Sequence, residues 1–331
     1  MLRLDLTEDD TRRLRRRLEQ LPDPSVDLEG LLAGLIQAAA LLPIDVVRTL
    51  LEIRSSSRAP GALLLTGVPV DRELPPTPAD GARPPYKPGS VSERAILLCA
   101  VLLGEPVGYL AEKDGALVQD VFPTRAERTE PSNASSGVDL DFHTELTFSR
   151  DAPERPLHLA APDFVLLLGL RSHPDRSAMT LVAETRDVLG RLQGSDVDLL
   201  REELFQLRAP HSFTRDADGS RPWSERVALV HGGRHAPFLA FDGACGVRAL
   251  SPEAGAALDA LRRACADPTL QASVQLRPGD LLAIDNTRAV HARSQYEARF
   301  DGEDRWLQRA YVRRSIRDLR PVSVDTPRLL I

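Results

Sequence analysis

The segment at positions 137–145 decides how the rest of the chain must fold, and it reads Gly-Val-Asp-Leu-Asp-Phe-His-Thr-Glu. His143 and Glu145 are two residues apart, and side chains at that spacing in a strand or extended turn point the same way, so both can address one ion. A downstream segment at 285–291, Asp-Asn-Thr-Arg-Ala-Val-His, supplies His291. Two imidazoles and one carboxylate, with three positions left open, are the facial triad of non-haem Fe(II) oxygenases. If the three residues bind one metal, the strand that carries His291 must fold back beside the first segment.

A His-x-Glu pair is a weak signal by itself, because a surface histidine beside a helix-capping glutamate gives the same pattern. Other histidines also compete for the metal. Some lie among apolar residues or in a turn, and Gly232-Gly233 argues against a helix that would bring two of them together. We expect none of these five to bind the metal: His158, His173, His211, His231 and His235.

Two arginines follow the second histidine in the segment 304–312, Asp-Arg-Trp-Leu-Gln-Arg-Ala-Tyr-Val. The planar guanidinium pairs bidentately with carboxylates and is never deprotonated, which suits a dicarboxylate co-substrate. Arg305 and Arg309 are four residues apart, so they face the same side of a regular strand. This arrangement strengthens the case for the metal triad.

The residues Phe142-His143-Thr144-Glu145, His291 and the Asp-Arg-Trp-Leu-Gln-Arg run resemble the clavaminate synthase-like group of Fe(II)/2-oxoglutarate oxygenases. Within it the chain is most similar to stand-alone hydroxylases of free amino acids, of the asparagine oxygenase and arginine 3-hydroxylase type. The resemblance runs from about residue 61 to about residue 317. It is specific, because most oxygenases of this kind have His-x-Asp instead of His-x-Glu.

The resemblance implies a cofactor, two co-substrates and a set of catalytic residues. Fe(II) would be held by His143, Glu145 and His291, with 2-oxoglutarate and O₂ as co-substrates. Arg305 would pair with the distal carboxylate of 2-oxoglutarate, and the hydroxyl of Thr180 would add a hydrogen bond there.

The resemblance also implies how an amino acid would be bound. Arg309 would hold its α-carboxylate and Glu112 its α-amine, although Glu112 could equally be an exposed loop acid. Asp242 would recognise the end of the substrate side chain. The polar segment containing Asn133 and Ser135 could hydrogen-bond the substrate.

One departure from the arginine hydroxylase pattern bears on the substrate. Those enzymes have a second aspartate two residues after Asp242, where this chain has Ala244. We therefore rank arginine below a ureido or amine analogue among citrulline, arginine, lysine and ornithine. The expected reaction is hydroxylation at an unactivated C3 or C4 carbon, in specialised metabolite biosynthesis.

Other function classes are also compatible with these residues. An oxygenase of the same group could act on a carrier-tethered or larger substrate, or could desaturate or cyclise it. A non-catalytic jelly-roll protein or a cupin-type metal-dependent protein is the other class. The presence of both Arg305 and His291 argues against a site that has lost catalytic activity.

Composition narrows the partners and the compartment. With 331 residues and a net charge of −6, the chain lacks a basic field for nucleic acid, and the arginine run at 12–17 is expected to be a solvated helix face. No apolar run approaches a membrane span, and the first residues do not resemble a signal peptide. Three widely spaced cysteines indicate a reducing cytoplasm. The expected partner is a small-molecule amino acid, and the oligomeric state is open.

The pattern of apolar residues predicts helices at 7–21, 27–40, 42–54, 91–104, 184–193, 196–206 and 252–264. It predicts strands at 61–67, 116–122, 164–170, 179–183, 227–231, 237–241, 272–276, 280–284, 290–294 and 308–314, with 164–170 and 179–183 paired as a hairpin. Pattern alone indicates an α+β protein with a β-rich core. Together with the resemblance it implies a double-stranded β-helix (jelly roll) with flanking α-helices. We expect one oxygenase domain over 1–331, with a helical region at 1–60, the core at about 61–317 and a lid at about 211–225.

Overall fold

The structure is a computed structural model that describes residues 1–24, 26–81, 91–129, 132, 134, 136–147, 161–175, 177–210, 220–317, 319, 321–323 and 325–330. Several predictions lie outside these residues: Asn133, Ser135, His158, His211 and the part of the proposed lid at 211–219.

Each predicted helix has a counterpart in the described part of the chain, although the fifth and sixth helices are shorter than predicted. They are α1 (Glu8–Glu19), α2 (Leu28–Ala38), α3 (Ile44–Ser55), α4 (Val91–Leu103), α5 (Thr185–Leu189), α6 (Gly194–Leu200) and α7 (Pro252–Cys265). Thr7 caps α1 in a reciprocal capping box with Asp10, and Ser251 caps α7 with a proline in its first turn. None of these helices is long and apolar enough to cross a membrane.

The strands are β1 (Leu2–Asp5), β2 (Ala62–Thr66), β3 (Glu105–Tyr109), β4 (Val118–Val121), β5 (Leu140–His143), β6 (Phe164–Arg171), β7 (Thr180–Glu184), β8 (Phe205–Leu207), β9 (Val230–Gly233), β10 (Ala236–Leu239), β11 (Val247–Ala249), β12 (Gln271–Val274), β13 (Leu281–Asp285), β14 (Ala289–Arg293), β15 (Trp306–Arg313) and β16 (Leu329–Leu330). The large sheet has the order β1-β2-β13-β6-β15-β3-β16, with β4 also paired to β15. The small sheet has the order β12-β7-β14-β5.

The two sheets pack face to face, and strand alternation shows how. In β6, Phe164, Leu166 and Leu168 belong to a core shared with α1–α4, whereas Val165 and Leu167 belong to a core shared with strands of the small sheet. The other face of the small sheet packs against α5–α7. The protein therefore has four layers in the order α1–α4, large sheet, small sheet and α5–α7. This confirms a mixed α and β fold with a β-rich core.

The predicted hairpin of 164–170 with 179–183 is wrong. Strand β6 pairs with β13 and β15 in the large sheet, and β7 pairs with β12 and β14 in the small sheet. The connection between them therefore crosses from one sheet to the other. Local pattern predicted both strands correctly but not their partners, because pairing is decided by contacts far apart in sequence.

Other differences concern short elements. The predicted helix at 196–206 ends at Leu200, and residues 205–207 form β8 because they pair with β11. Strands β1, β3, β5, β8, β11 and β16 were not predicted. A turn at 277–280 precedes β13: the Asp280 carboxylate accepts the Arg277 N–H, and Gly279 has a φ of 84° that favours glycine.

Candidate metal centre

The three predicted metal ligands converge on one point. His291 on β14 is directly opposite His143 on β5 in the antiparallel pair, so the strand carrying the second histidine does fold back beside the first. Glu145 Oε1 lies 4.0 Å from His143 Nε2 and 3.6 Å from His291 Nε2. One potential ligand atom from each residue lies within 4.8 Å of the others, and among the described residues this is the one such cluster of histidine, cysteine and acidic side chains.

Hydrogen bonds to Asn286 and Phe241 hold the backbone around Glu145 in place. The Glu145 N–H donates to Asn286 Oδ1 at 2.7 Å, and the Asn286 amide donates back to the Glu145 carbonyl at 3.1 Å. Thr144 is linked to Phe241 through both its backbone N–H and its hydroxyl. Glu145 follows β5 in a turn, and these bonds fix its direction without a strand ladder.

The imidazole of His143 is prepared to act as a neutral ligand. Its Nδ1 lies 2.8 Å from the Asp141 carbonyl, so an Nδ1–H donates there and Nε2 keeps its lone pair toward Glu145. Burial lowers the pKa of His143, and the neighbouring His291 lowers it further. A neutral imidazole is the form that binds a metal.

Glu145 is held as a carboxylate by a buried network. Arg309 Nη1 donates to both of its oxygens at 3.1 and 3.3 Å, and the Tyr311 hydroxyl donates to Oε2 at 2.9 Å. Burial would raise the pKa of Glu145, but Arg309 and the two imidazoles hold it well below its usual range. Tyr311 was not predicted from the sequence, although its position two residues after Arg309 places it on the same face of β15.

Arg309 joins the metal cluster to Glu112. Its Nη2 donates to Glu112 Oε2 at 2.9 Å, and Gln119 Oε1 accepts from Nε at 3.1 Å and from Nη2 at 2.6 Å. Arg309 is 3 % exposed and Glu112 is 7 % exposed, so Glu112 is not a loop acid in solvent. Burial would lower the pKa of Arg309, but Glu145, Tyr311 and Glu112 raise it, so the guanidinium stays charged.

Arg305 occupies another part of the same cavity. This cavity lies between the two sheets and is lined by all three candidate ligands together with Thr180, Arg293, Arg305 and Arg309. Arg305 is buried and donates to the Thr180 hydroxyl at 3.4 Å and to Tyr296. Among the described residues, no carboxylate lies within ion-pair distance of its guanidinium.

Arg293 lies near Arg305 and was missed by the sequence analysis. It is 5 % exposed, donates to the Val138 carbonyl at 2.9 Å and has its guanidinium 5.4 Å from the Tyr296 ring centre. Burial lowers its pKa to about 10, and Arg305 contributes to that shift. Arg293 is two residues after His291 on the same strand, so both side chains point to the same face, and this spacing could have identified Arg293 from the sequence.

Asp242 lies beside the centre. It pairs with His143 through an isolated β-bridge, and its Oδ1 accepts the Cys245 N–H at 2.7 Å. Burial raises the pKa of Asp242, while His143 and the bonds from Cys245 oppose that rise. The structure thus brings Thr180, Glu112, Asp242, Arg305 and Arg309 near the candidate ligands; Asn133 and Ser135 lie outside the described residues.

The other described histidines lie elsewhere. His173 bonds Asp175 and the Glu297 carbonyl, and His231 stacks on Phe238, so both have structural partners. His235 is exposed. A larger cavity, of about 230 Å³, is lined by Arg186, Arg288 and other residues of the α3–β2 loop and α5. Arg186 and Arg288 bond backbone carbonyls, and the cavity contains none of the candidate ligands, so it is not the metal site.

The donor set fits a divalent iron. Two imidazole nitrogens and one carboxylate oxygen reach a common point from adjacent elements, and the carboxylate is oriented by Arg309 and Tyr311. The remaining directions face a cavity that contains guanidinium groups, where an anionic co-substrate can reach the metal.

Comparison with known proteins gives the same result. Residues 93–311 match the family model described as taurine catabolism dioxygenase TauD, TfdA family. The chain is 37 % identical to L-asparagine oxygenase of Streptomyces coelicolor over 286 residues, which cover 84 % of this chain and 78 % of that protein. A structure of asparagine oxygenase with Fe(II), 2S,3S-3-hydroxyasparagine and succinate superposes with a TM-score of 0.85 at 32 % identity, covering 100 % of this chain and 99 % of that one.

A second solved structure, the non-heme iron oxygenase OrfP with Fe and alpha-ketoglutaric acid (2-oxoglutarate), has a TM-score of 0.80 at 30 % identity and covers 99 % of this chain and 100 % of that one. This protein belongs to the TauD/TfdA dioxygenase family. It is an Fe(II)/2-oxoglutarate-dependent dioxygenase.

Proposed function

We propose that this protein hydroxylates a free L-amino acid at an unactivated C3 or C4 carbon. The observation that carries the proposal is that the three clustered side chains share one cavity with two buried arginines. The cluster is His143, Glu145 and His291, and the arginines are Arg305 and Arg309. One arginine suits a dicarboxylate co-substrate, and the other suits the carboxylate of an amino acid.

In this proposal the metal is held by the three clustered side chains. Iron and 2-oxoglutarate, when bound, supply the O₂-dependent chemistry that replaces C–H by C–OH. The chain fixes the ligands: the Asp141 carbonyl orients His143. Arg309 donates to both oxygens of Glu145, and Tyr311 donates to Oε2. Loss of such a supporting partner typically costs roughly 10- to 100-fold in metal affinity or activity.

Arg305 would hold the distal carboxylate of 2-oxoglutarate. Its buried guanidinium has hydroxyl partners in Thr180 and Tyr296, but a buried charge is stabilised well only by an opposite charge. A carboxylate at this position would supply that charge. Arg293 would strengthen the positive field at the same place, since it lines the same cavity.

Arg309 and Glu112 would hold the amino-acid head group. Because Arg309 already contacts Glu145, a substrate carboxylate bound to its guanidinium lies close to the metal. Glu112, which is 2.9 Å from Arg309, is then in position to accept the α-ammonium. A head group anchored next to the metal brings the first side-chain carbons within reach of the oxidant.

The side chain would extend toward Asp242, with Asn133 and Ser135 as further hydrogen-bonding groups. We propose a long polar side chain of the citrulline, arginine, lysine or ornithine class, with a role in specialised metabolite biosynthesis. The proposal includes one domain over 1–331 whose two sheets form a jelly roll, a lid at about 211–225, and a cytoplasmic location. The packing of two sheets with the cavity between them supports the jelly roll.

A panel assay tests the proposal. Purified protein with Fe(II), 2-oxoglutarate and ascorbate is incubated with proteinogenic and common non-proteinogenic amino acids, and products are read as a gain of one oxygen atom in mass. At least one free amino acid should give this product together with succinate. Glu112→Gln should lower its formation through KM, because the α-ammonium loses its counter-charge. Succinate release without any oxidised amino acid across the panel would refute the proposal.

A further inference from the structure

A loop next to the candidate metal centre is fixed by backbone bonds. Gly243 N donates to the Phe142 carbonyl at 3.0 Å, and Gly246 N donates to the Asp242 carbonyl at 3.1 Å. The backbone of Asp242 forms an isolated antiparallel β-bridge with that of His143. The loop at 242–246 therefore presents its side chains beside a metal ligand in a defined geometry, as a site that reads a substrate requires.

Two arginines approach this loop from the segment next to β8. Arg208 N donates to the Gly246 carbonyl at 2.9 Å, and the Arg208 guanidinium lies 5.7 Å from the Trp223 ring centre. Arg208 forms an isolated β-bridge with Trp223, and Arg221 Nη1 donates to the carbonyl of the neighbouring Ala209 at 3.0 Å, so Arg221 lies beside Arg208. The two guanidinium groups form one positive cluster.

Arg221 is linked directly to the loop. Its Nη1 donates to the Ala209 carbonyl at 3.0 Å, and its guanidinium also bonds the Cys245 thiol. The thiol in turn bonds the Asp242 carboxylate, whose Oδ1 accepts the Cys245 N–H. Arg221, Cys245 and Asp242 therefore form a continuous chain of contacts at the edge of the metal centre.

The cluster offers both donors and an acceptor to a ligand. Arg208 Nε is buried and has no hydrogen-bond acceptor among the described residues, and such a group costs free energy unless a ligand satisfies it. Asp242 is 6 % exposed and its carboxylate has acceptor capacity beyond its bonds to Cys245.

We propose that Arg221 and Asp242 together select a substrate whose side chain ends in a neutral carboxamide or ureido group. Such a group donates N–H to Asp242 and offers its carbonyl oxygen to Arg221. An ammonium or guanidinium group meets the like charge of Arg221, and a carboxylate meets the like charge of Asp242. The inference rests on the proposed function. Within the proposed class of long polar substrates it places citrulline above arginine, lysine and ornithine, and it adds the shorter amides as candidates.

The experiment compares neutral and charged substrates of matched shape: citrulline with arginine, glutamine with glutamate, and asparagine with aspartate. Whichever chain length fits best, the wild type should favour the neutral member in kcat/KM by about tenfold or more, since buried polar groups left unpaired discriminate strongly. Calorimetric titration of the same amino acids into the protein with Zn(II) and 2-oxoglutarate should show the same order of affinity without turnover.

Variants test the role of Arg221. Arg221→Met should raise KM for the preferred neutral substrate by about tenfold or more, as expected for loss of one charge-assisted bond. It should also reduce the preference over the cationic partner. Arg248→Met is the matched control, because Arg248 stacks on the same Trp223 ring at 4.4 Å but is exposed and bonds Gln206. This control should change neither the KM for the neutral substrate nor the preference over its cationic partner.

The outcomes separate the inference from the function on which it rests. A cationic or anionic amino acid preferred over its neutral partner overturns the inference and leaves the hydroxylase function standing. An Arg221→Met variant with unchanged preference in both turnover and calorimetry also overturns it. If no amino acid in the panel is oxidised, the proposed function fails and the inference fails with it.

Discussion

Replacing Arg305 by methionine should separate binding of the co-substrate from folding. The guanidinium is buried, and its partners Thr180 and Tyr296 are uncharged. Methionine keeps an unbranched apolar stem and removes a buried charge that lacks a carboxylate partner among the described residues. We expect the free energy of unfolding of the ligand-free protein to stay the same or to rise, because the desolvation of that charge is relieved.

The effect on 2-oxoglutarate should be large. One charge-assisted hydrogen bond to a carboxylate contributes about 1.5–3 kcal/mol, so the affinity should fall roughly 10- to 150-fold. At a concentration one hundred times the wild-type Kd, 2-oxoglutarate stabilises the wild type by about 2.7 kcal/mol, but a variant weakened one hundredfold gains only about 0.4 kcal/mol. Thermal or chemical unfolding with and without 2-oxoglutarate measures this difference, and succinate formation gives the matching change in KM.

Arg288→Met is the matched control. Arg288 pairs with Asp285 at 2.8 Å and donates to the carbonyls of Ile53, Ser56 and Ala59 at the end of α3. Its loss should cost roughly 1–3 kcal/mol of stability, because three carbonyls lose their donor while Asp285 keeps Arg314 as its remaining charged partner at 2.8 Å. If Arg305→Met destabilised the ligand-free protein as much as Arg288→Met, or if Arg309→Ala alone raised the 2-oxoglutarate requirement, the assignment of Arg305 would be refuted.

Three further predictions concern the site. His143→Ala or His291→Ala should abolish turnover and weaken metal binding measured by calorimetry, because two remaining ligands hold Fe(II) poorly; full activity in either variant would show that the ligands are wrong. Tyr311→Phe should weaken metal binding roughly 10-fold or more with the fold intact by circular dichroism, since Glu145 loses one of the bonds that orient it; unchanged affinity would remove Tyr311 from this role. Asp242→Ala should cut hydroxylation of the best polar substrate by at least about tenfold, roughly 1.4 kcal/mol. An unchanged rate in this variant would show that Asp242 does not recognise the substrate side chain.

Much of the metal cluster could be predicted from sequence because it depends on short-range geometry. His143 and Glu145 are two residues apart, and His291 had to lie on a strand opposite them; the structure has this pairing. Arg305 and Arg309 line one cavity, as their spacing predicted. Helix α1 was also predictable, since Thr7 and the acidic first turn encode its start locally.

The rest depends on contacts that no local pattern contains. Strands β6 and β7 were recognised but wrongly paired, because the connection between them changes sheet. The bonds from Arg309 and Tyr311 to Glu145 join residues 164 and 166 positions apart. Arg221 was assigned only to a polar lid segment, and its approach to Cys245 depends on how the segment next to β8 packs against the loop at 242–246.

The most direct test of the central claim is the fate of the oxygen atoms. The protein with Fe(II) and 2-oxoglutarate is supplied with isotopically labelled O₂ and with the amino acid that the panel identifies, and both products are analysed by mass spectrometry. We predict one labelled oxygen in the hydroxyl group of the amino acid, at C3 or C4, and one labelled oxygen in succinate, formed in equal amounts. Labelled succinate with an unaltered amino acid, or an oxidised amino acid formed without 2-oxoglutarate, would contradict the account.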